Sequence, residues 1–324
     1  MKRSVSIDLH LHLDGSLSLS SVRALAKMQG IAVPESDIEL MELLRVREGC
    51  RDLCQYLEKF DFPLSLLQTE RAMEEATHRL CRELMEEGCI YAEIRFAPQL
   101  HTHKGLSMET ALKAAIKGFI SSELCGGLIL CCMRGDDNRD QNFATVELAR
   151  KYLGHGVLAL DLAGNEAGYP TDDFGDIFAL AREYGIPFTL HAGEADGAHS
   201  VRKAIELGAA RIGHGVRSLE DGELIALLAD KKIPLELCPT SNLNTAIFDD
   251  ISLYPIRALM EAGVIVTVNS DNRSVSATTA GREMSLLREA FGFTPAEERQ
   301  LLINSVTAAF CDDSTKKILL EQIK

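Results

Sequence analysis

The sequence predicts an α/β chain folded as a closed parallel (β/α)8 barrel of TIM type, and three observations predict it. Eight short apolar runs recur along the 324 residues. Helical stretches separate most of them at a spacing close to one strand–helix unit. His, Glu and Asp side chains capable of chemistry fall where those runs end, which is where such barrels carry their active sites.

The first run, Ser4–Leu9, leads into a segment in which Val5, Ile7, Leu9, Leu11 and Leu13 alternate with Ser6, Asp8, His10, His12 and Asp14. In an extended chain, side chains two apart point the same way, so both imidazoles project from one face where strand meets loop. Roughly eighty residues follow before the second run, more than one crossover helix needs, which predicts extra helices between strand 1 and strand 2. Leu53–Leu67 belongs to them; its Tyr56, Leu57, Phe60, Phe62 and Leu66 either cover the barrel mouth or join the core. Thr69 then caps a helix with a stripe of Met73, Ala76, Leu80 and Leu84, ended by Gly88.

The remaining runs are Ile90–Ala97, Leu128–Met133, Val157–Ala163, Pro187–Leu190, Arg211–Gly213, Pro234–Leu237 and Val264–Val268. Their starts recur roughly every 23 to 38 residues. A helix over Ser200–Leu207, closed by Gly208, repeats the connector pattern. An open doubly wound sheet would also put sites at strand ends, but it needs no eightfold count, and no Gly-rich phosphate loop supports it. Neither linker nor low-complexity tract interrupts the chain, so residues 1–324 read as a single domain.

Composition sets limits on function. With 46% hydrophobic and 25% charged residues the chain reads as an ordinary soluble globular protein. A net charge of −14 without a Lys/Arg-rich stripe argues against a nucleic-acid partner. No apolar stretch approaches a membrane span, and the run after Lys2 and Arg3 is too short for a signal peptide. Nine cysteines, an odd number without any C-x-x-C, fit a reduced, cytoplasmic setting. Cys131 and Cys132 lie in a run that reads as a buried strand, and Cys50 and Cys54 read as packing thiols rather than ligands.

Catalytic zinc takes a few protein ligands and keeps one position for water. His10, His12, His191 and Asp271 supply three imidazoles and a carboxylate from the ends of three converging strands. Asp271 directly follows an apolar strand, where a buried carboxylate needs a cation or donors. A metal there lowers the pKa of water from about 15.7 to about 7, roughly 12 kcal/mol less for making hydroxide. His214, between Gly213 and Gly215, is the candidate to take that proton or steady the hydroxide; the alternative is a ligand to a second metal. Two-metal barrels of this kind add a carboxylated lysine at strand four. The segment Asp161-Leu162-Ala163-Gly164-Asn165-Glu166 has none, which favours one metal.

Glu194, three residues beyond His191, is placed as a general acid for a ring nitrogen, provided an apolar surrounding keeps it protonated. His101 and His103 repeat the H-x-H spacing in a loop-like segment and are not expected to ligate. His78, His155 and His199 read as surface residues. Arg211 and Arg217 are the cations expected near the mouth, too few for an anionic ester substrate.

Six segments together resemble the adenosine deaminase family of the metal-dependent amidohydrolases. They are His10-Leu11-His12-Leu13-Asp14-Gly15-Ser16, the Asp161–Glu166 segment, His191-Ala192-Gly193-Glu194, Arg211-Ile212-Gly213-His214-Gly215-Val216, Leu237-Cys238-Pro239-Thr240-Ser241-Asn242 and Val268-Asn269-Ser270-Asp271. The resemblance spans nearly the whole chain. It implies hydrolysis of the 6-amino group of adenosine or 2'-deoxyadenosine to inosine or deoxyinosine and ammonia, as in purine salvage. It further implies one zinc on His10, His12, His191 and Asp271, attack at purine C6, Glu194 protonating N1 and His214 handling the water.

For the substrate it implies contacts from His12, from the Gly164 N–H to N3, and from Asp14 to the ribose 5'-hydroxyl. Related adenine deaminases usually carry Glu where Asp14 stands, so Asp14 favours the nucleoside. Many members have a second Asp after the metal-binding one; this chain has Asn272, whose amide N–H donates to N7 without needing a proton first. The partner implied is a small purine nucleoside, with no obligate protein partner. The nearest alternative is a deaminase of adenine or of a modified adenosine, and a more distant one an amide or phosphoester hydrolase. A non-catalytic purine-binding relative would lack a ligand or the acid, and none is missing. The cytidine deaminase signature, H-x-E with P-C-x-x-C, is absent.

Overall fold

A computed structural model describes residues 5–47 and 49–323; Ser4 of the expected first run, with Lys2 and Arg3, lies outside them. The eight expected strands are present: β1 Ser6–His12, β2 Cys89–Phe96, β3 Gly126–Met133, β4 Val157–Ala163, β5 Thr189–Ala192, β6 Arg211–His214, β7 Leu235–Leu237 and β8 Val266–Val268. They pair in chain order, all parallel, as β1-β2-β3-β4 and β5-β6-β7-β8. Parallel bridges join the two halves at both seams, Leu160 to Phe188 and Leu11 to Asp271. At the second seam His12 N–H donates to Asp271 O at 2.8 Å and Asp271 N–H to His10 O at 2.7 Å. Covered on both faces, such strands read as near-continuous apolar runs, which is why the sequence revealed them.

The strand ends depart from expectation in one consistent way. The predicted first, fifth and sixth runs stop at Leu9, Leu190 and Gly213, whereas the strands continue through His12, Ala192 and His214. Polar side chains interrupt the apolar pattern while the strands continue, with a shift of β1–β2 register between Asp8 and Leu11.

Among the described residues, seven helical segments lie between β1 and β2, confirming the insertion. Leu53–Leu67 is not one helix but three pieces, Leu53–Leu57, a 3-10 turn over Glu58–Phe60, and Asp61–Leu66. Pro63 explains the break: it has no N–H for the residue-59 carbonyl, and its ring clashes there in a continuous α-helix. The Glu70–Glu87 helix starts as expected, with Ala72 N–H donating to Thr69 Oγ1 at 3.2 Å, and ends at Gly88. The later connector begins at Ala198, two residues before the expected Ser200. No helix among the described residues is long and apolar enough to cross a membrane.

Inside the barrel, away from the mouth, the filling is charged. Arg211 opens β6 and is buried there, donating to Glu93 Oε2 and Glu236 Oε1, both at 2.6 Å, so the expectation that it sits near the mouth is corrected. A guanidinium beginning a barrel strand belongs to the end opposite the catalytic loops. Arg217 donates to Glu220 and to the Ala195 carbonyl, while Arg134 is the arginine that lines the mouth cavity.

Outside the barrel, the helix Ala280–Phe291 buries Glu283, which accepts from Thr240 N–H at 3.0 Å and from the Thr278 hydroxyl. Burial pushes this carboxyl up to about 7 from 4.5. The folded chain therefore holds a proton that the unfolded chain has released, and stability falls as pH rises between those values. We expect Glu283→Gln to remove a loss of about 3 kcal/mol between pH 5 and 8, upper bound. Denaturant unfolding of both proteins at the two pH values checks this; parallel pH dependence would refute it.

Candidate active site

Strand alternation puts His10 and His12 on the same inward face of β1, and His191 projects from β5 beside them. Nitrogen or carboxylate atoms of His10, His191, His214 and Asp271 all lie within 4.8 Å of one another. His12 joins the cluster from the side, its Nε2 3.4 Å from Asp271 Oδ1 and 3.2 Å from His191 Nε2. Gly213 permits this convergence: a Cβ there would come within 3.1 Å of the His10 ring and 3.2 Å of the His191 Cα. Asp271 and His214 sit at φ +58 and +60, left-handed backbone that costs most residues free energy and recurs at functional sites.

Two carboxylates fix the imidazole orientations. His10 Nδ1 donates to Glu236 Oε2 at 2.7 Å, and His191 Nδ1 lies 2.9 Å from Asp161 Oδ2. Arg95 bridges both, donating to Asp161 Oδ2 at 2.8 Å and Glu236 Oε2 at 2.9 Å. Against the cost of burial, Arg211 and Arg95 hold Glu236 well below the usual carboxylate range, and His191 and Arg95 hold Asp161 low. With Nδ1–H committed to these anions, the Nε2 lone pairs of His10 and His191 face inward. His10 Nε2 is buried without a hydrogen-bond partner, and burial drives His12 toward its neutral form. The unpartnered His10 Nε2 beside the Asp271 carboxylate, with the His191 Nε2 also turned inward, fits a cation.

His214 differs from the other three. Asn242 Nδ2 donates to its Nδ1 at 3.1 Å, so the neutral ring carries its proton on Nε2, 3.5 Å from Glu194 Oε2. Asn242 Nδ2 and Thr245 Oγ1 both donate to Glu194 Oε1, at 3.1 and 3.3 Å. Burial, then the charges of Asp271 and Glu166, push the Glu194 carboxyl well above its ordinary value. That direction suits the group to serve as an acid, with Oε2 left for the proton.

His12, His191, Glu194, His214 and Asp271 face a cavity of about 300 Å³ lined also by Asp14, Gly164, Asn272 and Arg134. Burial raises the Asp14 carboxyl to about 6. Asn272 donates one amide hydrogen to Asp271 Oδ1 at 2.7 Å and keeps a second. Leu53, Tyr56, Leu57 and Phe60 from the insertion form an apolar wall. Phe62 and Leu66 instead pack into the main core.

His101 is outside the cluster, as expected, but it is fully buried rather than looped out, bonded to Leu67 O at 2.9 Å and lowered to about 4 by burial. His103, His155 and His199 are exposed and His78 is half-buried. Cys50 precedes its helix, and neither it nor Cys54 joins a metal-ligating group among the described residues. Asp161, Glu236 and Arg95 were missed as supporting residues. Their signal was available, because each is a charged residue within or at the edge of an apolar run.

Known proteins resemble this chain over nearly its whole length. The family model described as adenosine deaminase matches residues 6–324. An adenosine deaminase of Haemophilus ducreyi is 46% identical over 98% of this chain and 95% of its own length. One from Enterococcus faecalis is 40% identical over 98% of this chain and 95% of its own. Among solved structures, an adenine deaminase from Arthrobacter aurescens superposes with TM-score 0.89 at 28% identity, covering 98% of this chain and 97% of that one.

Proposed function

This chain belongs to the adenosine deaminase family and is a hydrolytic deaminase acting on C–N bonds, and from that premise we propose that it converts adenosine and 2'-deoxyadenosine to inosine and deoxyinosine with release of ammonia, in purine salvage. The observation that carries the reading is Glu194, buried with its carboxyl pushed above its ordinary value, 3.5 Å from His214 Nε2 and beside a group of His and Asp side chains suited to one divalent cation. His10, His12, His191 and Asp271 would hold it, and nitrogen-rich ligation with one carboxylate suits zinc. When bound, the ion supplies Lewis-acid activation of water, lowering its pKa to about 7.

The chain's own groups do the rest. Glu194 gives its Oε2 proton to purine N1, making C6 more electrophilic. His214 donates from Nε2 and steadies the attacking oxygen, the role its bond from Asn242 supports over proton abstraction; of the two protons water gives up, one departs on the ammonia and the other restores the Glu194 carboxyl. The Gly164 N–H meets N3, Asn272 donates its second amide hydrogen to N7, Asp14 takes the 5'-hydroxyl, and His12 borders the substrate. The Leu53–Phe60 wall excludes water from the purine face. One family match over residues 6–324 supports reading the chain as a single domain.

A second reading, deamination of adenine, is favoured by the Arthrobacter structure at 28% identity. Ammonia release from adenosine, deoxyadenosine and adenine, compared at equal enzyme, decides between them. We expect both nucleosides to exceed the free base in kcat/KM; the reverse order overturns the nucleoside assignment.

A further inference from the structure

Glu166 is the third residue of the loop leaving β4, which begins with Gly164, and it is 2% exposed, beneath the loop leaving β5. Four consecutive backbone N–H groups of that loop donate to it. Gly193 reaches Oε1 at 2.6 Å, and Glu194, Ala195 and Asp196 reach Oε2 at 3.0, 2.7 and 3.0 Å. Ser200 Oγ adds a fifth bond to Oε1 at 2.6 Å. Successive N–H groups curled round an anion form a nest, here filled by a side chain of the same molecule. The turn needs Gly193 at φ +70, where a Cβ would come within 2.4 Å of Val201 Cγ2.

The clamp is braced from behind. Arg134 Nη2 donates to His191 O at 2.7 Å and to Thr171 Oγ1 at 3.0 Å, and Thr171 Oγ1 lies 2.8 Å from Ser200 Oγ. Because Ser200 donates to Glu166, the Thr171 hydroxyl donates to Ser200, so each of the two hydroxyls both donates and accepts. The second of the four clamped N–H groups is that of Glu194 itself. Its side chain is held separately, on the far side, by Asn242 and Thr245.

We propose that Glu166 is a positioning residue for the deamination: by fixing the backbone of residues 193–196 it sets where Glu194 presents its Oε2. The proposal rests on the reading of Glu194 as the acid. A displacement near 1 Å at a reacting group costs about 10²-fold in rate, so a backbone anchor matters to kcat rather than to substrate binding.

The test is a double-mutant cycle on the metal-loaded enzyme, combining Glu166→Gln with Glu194→Gln. A Gln at 166 keeps one acceptor oxygen and turns an amide NH2 against the N–H donors. We expect Glu166→Gln alone to lower kcat about 10- to 100-fold with KM and metal content unchanged. In the Glu194→Gln background the same change is expected to alter the residual kcat less than about threefold. Equal losses in both backgrounds, or wild-type kcat for Glu166→Gln beside a crippled Glu194→Gln, overturn the proposal alone. Full turnover in Glu194→Gln overturns the acid assignment, a separate outcome. If Glu166→Gln fails to fold, Ser200→Ala removes one donor. It should lower kcat by about 2- to 10-fold, again only where Glu194 is present.

Discussion

Glu194→Gln is expected to lower turnover by about 10²–10⁴-fold while leaving the metal in place. The side chain touches no proposed ligand through Oε1, which is held by Asn242 and Thr245, so an isosteric amide should sit in the same place. What disappears is a transferable proton. An amide N–H still faces the purine nitrogen, so KM should change far less than kcat, the signature of an interaction made mainly in the transition state. Steady-state kinetics with metal analysis of the same preparation checks this, and unchanged kcat would remove Glu194 from the chemistry.

Asp271→Ala is expected to have the larger effect, abolishing metal retention and turnover together. Outer partners of a metal site typically contribute 10–100-fold in affinity, so loss of a ligand should exceed about 100-fold. The carboxylate is the one anion among the inward-facing ligand atoms. The backbone position itself is retained by the bonds to His10 and His12, although Ala tolerates the left-handed conformation poorly. Asp271→Asn, a better residue for that conformation, separates strain from lost charge. In wild type, saturating zinc should raise stability by about 4 kcal/mol at a thousandfold excess over Kd. In either variant that dependence should vanish.

The sequence carried the barrel well because parallel strands covered on both faces leave unbroken apolar runs, as at Leu128–Met133 and Val157–Ala163. It carried the reactive residues through the H-x-H alternation and through the polar residues that end apolar runs, as at His191 and His214. It carried less where partners are distant. Nothing near His10 announces Glu236, 226 positions away and bonded to it through space. Arg211 looked like a mouth cation because it adjoins His214, yet residues at opposite ends of a short strand face opposite ends of the barrel. The break at Pro63 was legible from proline chemistry alone. The role of Asn242 was not, because its two donations depend on how the loop after β7 closes over Glu194.

Elemental analysis of wild type and Asp271→Ala, purified side by side without added metal, tests the central claim most directly. The predicted result is one zinc per chain in the active wild type and none in the variant. A full zinc complement in Asp271→Ala, or a fully active wild type free of divalent metal, would contradict it.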